Sequence, residues 1–377
     1  MVDFPSELPS IDGMNVVLVN QCNLHCITCA YPLQASKKFV RREVLNQVVQ
    51  DLLPRGLSRI DVSGGEPSLH PEFCEVIDDL YNAGLDITLV TNGTHLSKFF
   101  PRLAGKLARC IISIDADNAD LYEEIRGSNV FDALCQLPSL FAEGSPSTHM
   151  TFAVVVQRKN FRRIPNMFAF AKRCQVQRVS FLCPDIPSLV APDLRNTGAF
   201  GHVSAVQQSQ SDSIILDLEE IREFREVVIP AVKGKIYEFP EFANKTIDML
   251  DDFANYFEAY RRQKPRPEFR KCALPFNEIV LDENENLRFC FYMPDRWHYY
   301  PGMDVLNHHE AVKARVDYLK NDTRCHKYCN TCLQAVRIPA DILPPATPIE
   351  GYQAFDPLVP DRNSVQLRYS KPEEVIS

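Results

Sequence analysis

The chain has 377 residues, 45% of them hydrophobic and 24% charged, with a formal net charge of -8. That length holds two or three domains, or one large barrel with an appendage, and the composition excludes a disordered, coiled-coil or collagen-like chain. The acidic balance argues against nucleic acid as a partner. With no run of about 18 apolar residues to span a membrane, and neither the basic nor the apolar stretch of a secretory signal over Met1–Pro5, a cytoplasmic protein is expected.

In chain order, β-branched apolar runs at Met14–Asn20, Arg59–Ser63, Asp86–Thr91, Cys110–Asp115, Thr151–Val156 and Arg178–Leu182 read as strands. Amphipathic segments lie between them. In Arg41–Leu53 the apolar residues Val44, Leu45, Val48, Val49 and Leu52 recur at helical spacing. Pro71–Ala83 carries Phe73, Val76, Ile77 and Leu80, with Gly84 as its stop signal. His95–Leu107, Phe131–Phe141 and Ile164–Cys174 complete the alternation. Strands interleaved with helices make βα units on a parallel sheet, and right-handed crossovers curl that sheet. The expectation is an α/β fold, a partial (βα)6 TIM-like barrel.

The alternation breaks after Cys183, and Pro184–Ser213 reads as a long functional loop or lid. Leu216–Val232 and Pro240–Arg262 look helical again. The expected organisation is a core barrel over residues 12–215, a helical linker over 216–264, a smaller cysteine-bearing domain over 265–338 and an irregular, proline-rich tail over 339–377.

Thirteen cysteines are too sparse for a disulfide scaffold, and in a chain without an export signal clustered cysteines read as metal ligands or catalytic thiols. Cys74, Cys110, Cys135, Cys174 and Cys183 are scattered and read as free thiols in the core. Cys22, Cys26 and Cys29 form a Cys-x3-Cys-x2-Cys loop at the C-terminal end of the first strand. Three thiolates suit three irons of a [4Fe–4S] cube, whose fourth iron then needs an outside ligand. A zinc site completed by His25 is the alternative. Ser63-Gly64-Gly65-Glu66-Pro67 follows the second strand, Thr91-Asn92-Gly93 the third, and Ser113-Ile114-Asp115 the fourth. The glycines let backbone approach a ligand, Glu66 offers a carboxylate to an ammonium group, and all lie at the strand ends where barrels build active sites.

These motifs, in this order over roughly residues 12–190, resemble the radical SAM superfamily. The resemblance implies that Cys22, Cys26 and Cys29 bind a [4Fe–4S] cluster whose free iron takes the amino and carboxylate groups of S-adenosylmethionine (SAM). It implies that Gly64, Gly65 and Glu66 hold the amino group, and that Ser113 and Asp115, with Asn92 close by, lie along the ribose. The aromatic residue the family often has before the third cysteine is replaced by Thr28, with Tyr31 following Cys29. The implied chemistry is reductive cleavage of SAM by one electron from a donor such as flavodoxin or ferredoxin, giving a 5′-deoxyadenosyl radical that abstracts hydrogen from a substrate.

Cys272, Cys290, Cys325, Cys329 and Cys332 are similar to the twitch form of the SPASM auxiliary-cluster domain. The resemblance implies one auxiliary [4Fe–4S] cluster on Cys272, Cys290, Cys329 and Cys332, with Cys325 as an alternative ligand; a structural zinc site is the plainer reading. The first pair flanks a strand–turn–strand around Asn284–Asn286, and Glu285 stands where the family often has glycine. Phe291–His298 reads as packing around a cluster or as a substrate wall, and His308-His309-Glu310 as a solvated helix start. Relatives with one auxiliary cluster often act on small sugar- or nucleotide-like molecules, and peptide-modifying ones often carry a recognition domain ahead of the barrel; with about 13 residues before the first strand here, the resemblance implies a small substrate rather than a peptide. Cys183, at the end of the sixth strand, is either a small core filler or a hydrogen-atom donor to a substrate radical. A non-catalytic iron–sulfur or zinc-binding protein is the reading from another class.

Overall fold

The strand β1 (Gly13–Val19) is buried along its whole length. A computed structural model of the protein describes residues 7–29, 31–33, 36–184, 212–238, 245–262, 274–291 and 295–320. Within it β1 lies inside a nine-stranded sheet. On one side follow β2 (Arg59–Gly64), β3 (Asp86–Thr91), β4 (Arg109–Ser113), β5 (His149–Val155) and β6 (Arg178–Leu182), each parallel to its neighbour. Six parallel strands in sequence order, joined through helices, form the partial TIM-like barrel expected, and strand ends fall within two residues of the apolar runs that predict them.

The helices pack their apolar stripes on this sheet. α1 (Arg42–Leu52) buries Leu45, Val48, Val49 and Leu52, and α2 (Phe73–Asn82) buries Phe73, Val76, Ile77 and Leu80. α3 (Leu96–Leu103) is shorter than its sequence pattern, ending at Ala104 before Gly105. α4 (Ala119–Arg126) has no counterpart in the sequence reading. It is two turns long, and its signals are local: Asn118 accepts the amide of Leu121 at 3.0 Å, and Gly127 ends it at φ 69°. α5 (Phe131–Gly144) and α6 (Ile164–Arg173) are joined by Phe131 and Phe170, whose rings stack at 5.4 Å, with Phe152 of β5 stacked at 5.5 Å on the far side.

Beyond the barrel, α7 (Leu218–Glu223) begins at an Asp217/Glu220 capping box, runs through a π-helical turn at Phe224–Val228 and continues as α8 (Ile229–Glu238). α9 (Lys245–Arg261) braces this region, with Tyr256 donating to Pro184 O at 3.2 Å and Arg261 to Leu216 O at 2.9 Å. The short α10 (Leu274–Asn277) leads into β7 (Glu278–Leu281), and β8 (Asn286–Arg288) and β9 (Trp297–His298) follow before α11 (His309–Lys320). The strand–turn–strand expected there is present, and it extends the barrel sheet: β7 pairs parallel with β1, Gly13 opposite Glu278. Glu278 accepts from Asn15 at 3.0 Å and pairs with Arg59 at 2.8 Å. Glu285 adopts φ 61°, the conformation a glycine takes without strain. A bidentate pair with Arg41, at 2.7 and 2.6 Å, fixes its side chain and holds its carboxyl below the usual range.

The Asn118→Ala variant should lower stability by about 1 kcal/mol, the usual worth of an N-cap, measured as a reduced urea midpoint with unchanged slope. An unchanged midpoint would mean that α4 does not depend on its cap.

Candidate active site

The cysteine loop leaves β1 where the pairing of β1 with β2 slips by one residue between Val17 and Val19. There β2 ends in Gly64 and Gly65, pressed against the departing loop. The amide of Gly65 donates to Val19 O and that of Glu66 to Gln21 O, both at 2.7 Å. Gly64 sits at φ 132°, and a Cβ on it would lie 2.3 Å from Val19 O; a Cβ on Gly65 would lie 2.2 Å from Gln21 O. No side chain fits at either position, so the two glycines are required for the contact of turn and loop.

Cys22, Cys26 and Cys29 are half-buried thiols, none of them in a disulfide. They are close enough to interact: Cys22 is pushed up by burial and by Cys29, and Cys26 is pushed up to about 11 by burial, with Arg126 opposing and Cys29 and Cys22 adding. Three thiols gathered on one short loop are a donor set for a metal centre, because a bound cation deprotonates a coordinating thiol outright even where burial disfavours the thiolate, as at Cys22 and Cys26. The amide of Asn92 bridges the loop, donating to Asn23 Oδ1 at 2.7 Å and to Cys22 Sγ at 3.7 Å.

Glu66 is fully buried. Its carboxylate accepts from Ser68 N at 3.1 Å, Ser68 Oγ at 2.6 Å, Thr91 Oγ1 at 2.8 and 3.0 Å, and Asn92 N at 2.7 Å. Since the Ser68 proton goes to Glu66, His95 Nδ1, 3.1 Å from Ser68 Oγ, is the donor in that contact. No basic side chain pairs with Glu66 among the described residues. A buried carboxylate with hydrogen bonds but no counter-charge is suited to a cationic ligand.

Asp115 is also fully buried, in the left-handed region at φ 54°. Its Oδ1 accepts from Val155 N at 2.6 Å, and its Oδ2 lies 2.7 Å from Arg126 Nη2 as an ion pair. Burial raises its carboxyl above the usual range while Arg126 pulls it back. Arg126, at the end of α4, also donates from Nη1 to Cys26 Sγ at 3.8 Å, and its buried Nε has no hydrogen-bond partner among the described residues. Ser113, half-buried at the end of β4, makes no side-chain hydrogen bond among them.

The structure thus gathers Cys22, Cys26, Cys29, Gly64, Gly65, Glu66, Asn92 and Asp115 around the ends of β1 to β4. Cys183 is half-buried just past β6 and packs on the core. Cys290 is half-buried past β8, while Cys272, Cys325, Cys329 and Cys332 lie outside the described residues. Trp297 of the Phe291–His298 stretch is buried against Phe289, centroids 4.9 Å apart. His309 and Glu310 are exposed at the start of α11. Sequence reasoning missed Ser68, His95 and Arg126, and it placed Thr91 at the site without its role as a donor to Glu66. Thr91 stands in the Thr-Asn-Gly motif and Arg126 directly before Gly127, but their partners come from distant parts of the chain.

Residues 16–171 match the Radical SAM superfamily. This stretch of the chain therefore carries a radical SAM domain. It is 34% identical over 129 residues to a GTP 3′,8-cyclase of Microcystis aeruginosa, a match covering 31% of this chain and 39% of that protein. A probable GTP 3′,8-cyclase of Sulfurisphaera tokodaii is 25% identical over 315 residues, covering 82% of this chain and 90% of its own. In the first of these the chain spans about two-fifths of the relative's length. Among solved structures, Streptococcus suis SuiB bound to its precursor peptide SuiA shares the fold, with a TM-score of 0.56 and 13% identity over 86% of this chain and 72% of that one. No described helix is long and apolar enough to cross a membrane.

Because burial disfavours the Cys26 thiolate, metal-free protein at pH 9 should react with iodoacetamide at Cys26 about fifty-fold more slowly than the urea-unfolded chain, two pKa units being a hundredfold in thiolate-to-thiol ratio. Mass spectrometry of the labelled peptide reads this; equal rates would show an unshifted thiol.

Proposed function

We propose that this chain is a radical SAM enzyme acting on a small, nucleotide- or sugar-like substrate. The observation that carries the reading is the three-thiol loop clamped by backbone hydrogen bonds to a Gly-Gly-Glu turn whose buried carboxylate has no counter-charge among the described residues. When bound, a [4Fe–4S] cluster with SAM supplies reductive cleavage to a 5′-deoxyadenosyl radical that takes hydrogen from the substrate. The residues of this chain hold and orient that chemistry. Cys22, Cys26 and Cys29 are the cluster ligands, with Asn92 steadying Cys22. Gly64 and Gly65 bring backbone close to the methionine amino group, and Glu66 provides its counter-charge. Ser113 lies along the ribose, while Asp115 serves the site through Arg126. Burial of Glu66 and Asp115 keeps water from the charges that fix the ligand.

The alignment with a probable GTP 3′,8-cyclase along most of the chain supports a small substrate. The fold shared with a peptide-bound relative keeps a peptide as the second reading. We further assign one auxiliary [4Fe–4S] cluster to Cys272, Cys290, Cys329 and Cys332, with Cys325 as the alternative ligand, in a C-terminal domain over 265–338. A flavodoxin or ferredoxin is the electron donor.

Anaerobically reconstituted protein should hold about eight irons per chain, two four-iron clusters. Replacing Cys22, Cys26 and Cys29 with alanine should leave about four and abolish 5′-deoxyadenosine formation. Persistent 5′-deoxyadenosine from the triple variant, or zinc in place of iron in the wild type, would overturn the assignment.

Cys183 is assigned as hydrogen-atom donor to the substrate radical: its S–H bond breaks as the C–H bond of the product forms, and the thiyl radical left behind returns to the thiol with a solvent proton and one electron from the flavodoxin- or ferredoxin-class donor. In D2O the wild-type product should carry deuterium, and the Cys183→Ala product should lose that label while SAM cleavage continues. An unchanged label would make Cys183 a packing residue.

A further inference from the structure

The C-terminal end of α4 is built against the cysteine loop. Ile27 N donates to Ile125 O at 2.9 Å, and the Cys26 thiol reaches Arg126 O at 4.0 Å. Gly127 turns the chain away next to His25, whose carbonyl would lie 3.6 Å from an added Cβ. This brings a guanidinium, 9% exposed, to the inner side of the loop. Its Nη1 donates to Cys26 Sγ and its Nη2 pairs with Asp115. Asp115 is itself immobilised: Val155 N donates to its carboxylate, and Asn160 Nδ2 donates to its carbonyl at 2.9 Å.

We propose that Arg126, held in place by Asp115, raises the reduction potential of the SAM-binding cluster by keeping a buried positive charge and an N–H donor on the sulfur of Cys26. This rests on assigning that cluster to Cys22, Cys26 and Cys29. The step affected is the gain of one electron from a flavodoxin- or ferredoxin-class donor, with no bond made or broken. The reduced cluster carries one more negative charge than the oxidised one. A nearby cation therefore stabilises the reduced form more, and does so strongly in an interior of low effective dielectric. The charge of Asp115 works the other way. It acts on Cys26 through the intervening guanidinium, and Arg126 has the larger influence of the two on that thiol. Cys26 is the thiol that the guanidinium touches, whereas Cys22 receives neutral donors, the side-chain amide of Asn92 and backbone at Leu24. Hydrogen bonds to metal ligands from such outer residues tune the metal. Arg126 is thus a positioning and tuning residue, and Asp115 acts through it.

The test is an EPR-monitored redox titration of the reconstituted full chain without SAM, following the signal that disappears in Cys26→Ala. Arg126→Gln keeps a neutral donor and removes the charge. With iron content unchanged, its midpoint should fall by about 59 mV, a tenfold lower ratio of reduced to oxidised cluster at fixed potential. Arg126→Lys should lie between the two. Removing one member of a buried pair threatens the fold, so the double variant Asp115→Asn with Arg126→Gln, which leaves neither charge, should fold by circular dichroism and show a midpoint below the wild type but above that of Arg126→Gln alone, the opposing charge of Asp115 being gone as well. A fully loaded Arg126→Gln or double variant with the wild-type midpoint overturns the proposal and leaves the cluster assignment standing. If Cys26→Ala loses no signal relative to the wild type, the assignment on which the proposal rests is overturned.

Discussion

Two backbone hydrogen bonds, from Gly65 to Val19 and from Glu66 to Gln21, determine most of what happens at this site. They hold the turn after β2 against the loop after β1 so closely that neither glycine has room for a side chain. The parallel sheet brings these strand ends together, since adjacent strands deliver their loops to the same end. The one-residue slip in register at the end of β1 then turns the loop across the sheet. The cysteines inherit their positions from this contact, and so does the buried carboxylate beside them.

Two carboxylates are fully buried here, and they are treated differently. Among the described residues, Asp115 has an arginine against it, whereas Glu66 has only hydroxyls and amides. A buried charge without a counter-ion is costly, and hydrogen bonds offset only part of that cost. The site is therefore polarised before any ligand arrives: one compensated pair by Cys26, and one fixed negative group near Cys22.

Periodicity made the barrel legible, because each βα unit buries its own apolar stripe and its pattern is complete within about 30 residues. The cysteine loop and the Gly-Gly-Glu, Thr-Asn-Gly and Ser-Ile-Asp motifs were legible for the same reason, each being local. What escaped was non-local or short. α4 is only two turns long, with its apolar residues Leu121, Tyr122 and Ile125 too few to show a period. Arg126 reads as an ordinary helix-end cation until the fold sets Asp115 and Cys26 on either side of it. Ser68 and Thr91 look like turn residues, and only the register of β2 and β3 aims them at one carboxylate. The pairing of β7 with β1 joins residues more than 260 positions apart, and no pattern in either strand names its partner.

That last pairing sets a direction. β7 runs with β1 and β8 runs back, Arg288 opposite Val280, so the chain reaches Cys290 heading toward the end of the sheet where β1 begins. The loop bearing Cys22 leaves from the other end. At about 3.3 Å per residue, β1 alone separates those ends by roughly 20 Å. Thiols stand at opposite mouths of the same strand, and anything exchanged between them, whether an electron or one end of an extended substrate, crosses the full depth of the barrel wall.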